Sequence, residues 1–91
     1  MKATHKEIVA DVLAILHMPV EFLSNNDLCY CVLRLREVLD DLLYFYQDGD
    51  QTVACIENCI FYLEEMKTLP KNNHDYEVNR GVVIYELGKL L

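Results

Sequence analysis

The chain is short of basic residues, short of glycine and without a long uncharged run, and each shortage removes a class of function. Eight Lys and Arg stand against fifteen Asp and Glu, for a formal charge of −7. Binding nucleic-acid phosphates needs a clustered cationic footprint, and docking on anionic lipid needs one too. Direct contact with either is therefore not expected. The only glycines are Gly49, Gly81 and Gly88, too few and too scattered for a phosphate-cradling loop. No stretch reaches the ~18 apolar residues that a membrane span requires. The three histidines, His5, His17 and His74, lack metalloprotease spacing. No Glu-x-x-His pair is present to build a carboxylate di-metal site in a helical bundle. With catalytic motifs missing as well, the chain is not expected to be an enzyme or to carry a cofactor or metal.

An N-terminal lysine followed by apolar residues resembles a secretion signal, but Glu7 and Asp11 interrupt the apolar run. The reading is a cytoplasmic protein whose four cysteines are reduced thiols. Ninety-one residues make one domain, residues 1–91. A chain of this size buries roughly 65% of its unfolded surface, so a hydrophobic content of 53% exceeds what its interior can hide. The surplus points to cover from another subunit or partner.

Apolar spacing and end signals define four helices. The first runs from about Thr4 to His17. Thr4 and Glu7 form a T-x-x-E capping box, Ile8, Val9, Val12, Leu13, Ile15 and Leu16 make the apolar face, and His17 suits the negative end of the dipole. Pro19 ends it, and Phe22 and Leu23 are expected to plug the bundle end. The second runs from Ser24 or Asn25 to Tyr46, capped by Ser24 with Asp27 and followed by Gly49. Its core stripe reads Leu28, Cys31, Val32, Leu35, Val38, Leu39, Leu42, Leu43 and Tyr46. The third starts at Asp50 as N-cap and reaches about Lys67, with Val53, Cys55, Ile56, Cys59, Ile60, Leu63 and Met66 inward. Pro70 and the following "KNNHD" make a loop. The fourth begins near Asp75 and continues to the C-terminus, although "GVVIYEL" is also strand-like. No other strand is available to pair with it, so helix is preferred. Short connections make the fold an all-α, up-down four-helix bundle, with self-association expected from the apolar surplus.

Cys29 and Cys31 point apart on a helix, while Cys55 and Cys59 share a face. A zinc site would need four thiolates within ~2.3 Å of one ion, so Cys31, Cys55 and Cys59 are read as small core residues.

Recognition is where chemistry remains. Tyr30, Leu33, Glu37, Asp40, Asp41 and Tyr44 recur on the back of the second helix, with Asp48 at the following turn. Aromatic anchors within a charged rim are typical of interfaces. Phe61 projects from the third helix among Glu57, Glu64 and Glu65. On the fourth helix Val78, Val82 and Tyr85 form one stripe, and Tyr76, Val83, Leu87 and Leu90 another. A helix apolar nearly all round asks for burial on two sides. Val78, Val82, Val83, Tyr85 and Leu87 are therefore expected at a homodimer interface, with Gly81 and Gly88 permitting close approach.

The expected function is a non-catalytic, acidic interaction module that binds a basic, nucleic-acid-binding surface of a partner protein as an inhibitor or modulator. Small acidic chains poor in motifs include phage and mobile-element inhibitors, a class-level analogy. In a DNA-mimic version Glu37, Asp40, Asp41, Asp48 and Asp50 would stand in for phosphates along one edge, and Glu57, Glu64 and Glu65 along another. The alternative is a structural or chaperone-like subunit that shields an apolar segment of its partner through Tyr30, Leu33 and Tyr44.

Overall fold

In the computed structural model, which describes residues 1–45 and 50–91 (of residue 45 the backbone alone), four helices follow one another. They are α1 (Ala3–Leu16), α2 (Asn25–Phe45), α3 (Gln51–Met66) and α4 (His74–Gly88). Each begins where something satisfies backbone N–H groups that have no partner inside the helix. Ser24 and Asp27 cap α2 reciprocally: the Ser24 N–H donates to Asp27 Oδ2 at 2.9 Å, and the Asp27 N–H to Ser24 Oγ at 3.1 Å. Asp50 Oδ1 accepts from Thr52 and Val53 at the start of α3. Asn73 Oδ1 does the same for Asp75, so α4 opens at His74, one residue earlier than expected.

The start of α1 differs from the expected capping box. Thr4 lies inside the helix, whose N-cap is Lys2. His5 takes over, since its Nδ1 accepts the Lys2 backbone N–H at 3.4 Å. At the other end Arg80 of α4 donates from Nη1 to the Leu16 carbonyl at 2.6 Å. A cation thus meets the negative pole of α1, but it comes from another helix, and the C-cap His17 is exposed.

The buried stripes follow the helical repeat. α1 contributes His5, Val9, Val12 and Leu16, and α4 contributes Tyr76, Asn79, Val83 and Leu87, each stepping by three or four. Leu28, Cys31, Val32, Leu35, Val38 and Leu42 of α2 face Val53, Ile56, Cys59, Ile60, Leu63 and Met66 of α3 in one continuous core. Every helix packs against its neighbours in sequence, and α1 also packs against α4, which closes the ring. The result is an up-down four-helix bundle, and no strand is present among the described residues. "GVVIYEL" is helical because its Val83 and Leu87, one turn apart, reach the core together.

Three apolar expectations need correction. Leu23 is fully enclosed, but Phe22, in a single 3₁₀ turn, is 70% exposed and plugs nothing. Leu43 sits too far round α2 to be core and is 42% exposed. Cys55 is only partly buried. Tyr46, Asp48 and Gly49 lie outside the described residues.

Candidate interaction surface

The outer face of α2 is built by what its inner face uses up. With Leu28, Leu35 and Leu42 pointing inward, residues about half a turn away must face solvent. Tyr30, Leu33 and Tyr44 therefore stand out, and Tyr44 is 84% exposed. Glu37, Asp40 and Asp41 are exposed on the same side.

The acids are not equivalent. Glu37 is taken by Arg34, one turn before it on the same helix. Asp41 accepts a hydrogen bond from His5 Nε2 of α1 at 2.9 Å. Because Nδ1 of that ring accepts from Lys2, Nε2 carries the proton and donates. The His5 bond, aided by the nearby Lys2 charge, holds the Asp41 carboxyl below its ordinary range. Asp50 is used as a helix cap. Of the described members of the first edge of the phosphate-like array, Asp40 alone makes no ion pair or cap among the described residues, while on the second edge Glu64 bridges Lys67 and Glu57 and Glu65 make no ion pair among them.

The burial of His5 goes beyond what composition suggests, although the signal is visible. His5 stands four residues before Val9, in step with Val12 and Leu16, so it occupies the next core position of α1. The two adjacent aspartates at 40 and 41 then separate by role. One helix position turns Asp41 toward α1 and leaves Asp40 outward.

Between α2 and α3 runs a groove of about 330 Å³, lined by Arg36, Leu39, Glu57, Ile60, Phe61 and Glu64. Its floor is apolar, with Ile60 buried and Leu39 half-buried. Phe61 is 64% exposed at its edge and meets Tyr62 edge-to-face, ring centroids 5.7 Å apart. Glu64 bridges Lys67 at 3.0 Å. Arg36 and Glu57 make no ion pair among the described residues.

The expected dimer surface on α4 divides. Val83 and Leu87 are wholly enclosed by their own chain and present no surface to a second copy. Val78 and Tyr85 are exposed, with Val82 half-buried. Tyr85 already carries Lys89 over its ring, 5.0 Å from the centroid. Gly81 and Gly88 face open space rather than a close-packed helix of this chain.

A second cleft, about 420 Å³, lies between α3 and α4 and is lined by Gln51, Thr52, Ala54, Cys55, Asn58, Glu86, Lys89 and Leu90. Cys55 Sγ donates to the Glu86 carbonyl at 3.5 Å and approaches its carboxylate at 3.7 Å. Burial and the Glu86 charge push its thiol up, and burial drives Cys59 up as well. Desolvation takes Cys31 to about 12. All three are thiols at neutral pH, without the depressed pKa that activates a nucleophile. Cys29 is half-exposed, with Lys67 Nζ 3.6 Å from its sulfur. No group of three or more His, Cys, Asp and Glu among the described residues is arranged to hold a metal ion. No helix among them is long and apolar enough to cross a membrane. No protein-family model, curated protein or solved structure matches the chain.

Proposed function

We propose that this protein is a non-catalytic interaction module whose α2 face docks on a basic, nucleic-acid-binding surface of a partner protein and thereby inhibits or modulates it. One observation carries the reading: Leu33 (61% exposed) and Tyr44 (84%) share a face with Asp40, which makes no ion pair among the described residues. Large apolar groups inside an acidic setting supply contact area, and a net charge of −7 steers a basic partner toward them. Commitment of Glu37, Asp41 and Asp50 to bonds within the chain favours anchoring by side-chain burial over a phosphate-like array of charges. The protein works in the cytoplasm, as a homodimer.

The test is capture of partners from a cell lysate at low and high salt, comparing the natural chain with Leu33→Ala plus Tyr44→Ala and with Asp40→Asn. A specific basic protein should be retained at low salt, be released as salt rises, and be lost with the double alanine variant. Retention that ignores salt and Asp40 but needs Leu33 and Tyr44 would select the chaperone-like alternative. Retention indifferent to all three residues would sink both.

A further inference from the structure

The groove between α2 and α3 has a rim that its own chain leaves unfinished. Arg36 on α2 and Glu57 on α3 line it from opposite walls, yet neither forms an ion pair among the described residues. Other charged neighbours do so readily, as in Arg34–Glu37, Glu64–Lys67, Glu77–Arg80 and Glu86–Lys89. Between the two unmatched charges lies an apolar strip of Leu39, Ile60 and the largely exposed ring of Phe61. An apolar centre flanked by one unmatched cation and one unmatched anion is self-complementary. A two-fold axis along the strip would bring each Arg36 to the other copy's Glu57, and each Phe61 against the other copy's apolar floor. Isologous contacts of this kind need no second surface.

We propose that a second copy of this chain occupies the α2–α3 groove, so that the homodimer forms there. The interface rests on the homodimer reading given above and is independent of the basic-partner reading. A foreign basic helix fits less well, because Arg36 would confront its positive charges. The α4 strip fits less well too, because Val83 and Leu87 are withdrawn into the core.

Charge exchange between chains tests the geometry. Sedimentation equilibrium or light scattering on the full chain, from micromolar to hundreds of micromolar, should give the mass of two copies. Arg36→Glu alone places two glutamates in each contact, and Glu57→Arg alone places two arginines there. At 0.1 M salt and above, where repulsion between whole chains is largely screened, each variant should dissociate at least tenfold more readily, with its helical circular dichroism unchanged. An equimolar mixture of the two should recover the dimer. In the mixed pair the glutamate introduced at position 36 faces the arginine introduced at position 57, and the natural Arg36 faces the natural Glu57. Phe61→Ala should weaken association by tenfold or more without rescue in any mixture. A natural chain that stays monomeric across this range overturns both the homodimer and its interface. A dimer that survives both charge reversals, or that Tyr85→Glu dissociates instead, keeps the homodimer and overturns the groove.

Discussion

Tyr76 heads the side chains that the core encloses fully, and its hydroxyl meets no acceptor among the described residues. Desolvation accordingly pushes its pKa up. An unsatisfied buried hydroxyl costs about 1–3 kcal/mol, so Tyr76→Phe should leave stability unchanged or raise it by about 1 kcal/mol in urea unfolding. A loss above about 1 kcal/mol would show that the hydroxyl is satisfied, as by an enclosed water. Asp41 predicts the opposite kind of effect. The His5 hydrogen bond lowers its folded pKa, while the unfolded carboxyl titrates near ~3.9. Its contribution is therefore complete above that pH and fades as pH falls through the lower folded value. Thermal melts of Asp41→Asn should fall below the natural chain at pH 6 and converge with it toward pH 2. A gap that stays constant with pH would remove the carboxylate from the account.

At the scale of helices, Arg80 joins α1 and α4, which are not consecutive. It ties the first and last helices by donating to the Leu16 carbonyl, while its Nη2 and Nε are held by Glu77. Hydrogen bonds from charged donors contribute about 1.5–3 kcal/mol. Arg80→Ala should destabilise by that amount and speed amide exchange in the last turn of α1. Arg80→Lys should restore little, lacking the fork that serves two partners at once. Unchanged exchange at Ile15 and Leu16 would contradict the tether. This contact is not legible in the sequence, because it joins residues 64 apart and depends on how two helix ends meet. Local features are legible: Ser24 with Asp27 and Asp50 act as caps within three residues of themselves. Periodicity finds the core stripes, and it fails where a stripe's width is judged by hydrophobicity alone. It draws Leu43 inward, and Val83 and Leu87 outward, because apolarity does not say which of two apolar faces the bundle needs. Tyr30, Leu33, Tyr44 and Phe61 are exposed as the spacing predicts, whereas the engagement of Asp41 requires α1 to be seen beside α2.

Taken whole, the molecule is a bundle of 39 × 22 × 20 Å with a radius of gyration of 12.6 Å, close to the ~12 Å of a compact chain of this length. Each copy carries −7, which gives its two proposed associations opposite responses to salt. For two copies side by side, with centres about 20 Å apart, unscreened repulsion in water is about 10 kcal/mol. Screening leaves about 5 kcal/mol at 0.01 M salt and about 1 kcal/mol at 0.1 M. The paired Arg36 and Glu57 at the rim attract by only about 0.2–1 kcal/mol each, so repulsion between whole chains sets the sign. Dimerisation should therefore strengthen by at least tenfold from 0.01 M to 0.1 M salt, while binding to a basic partner weakens over the same interval. Sedimentation equilibrium across that range measures the first, and titration of the captured partner measures the second. If dimerisation weakened with salt as partner binding does, charge pairs rather than the Phe61 strip would hold the two copies together.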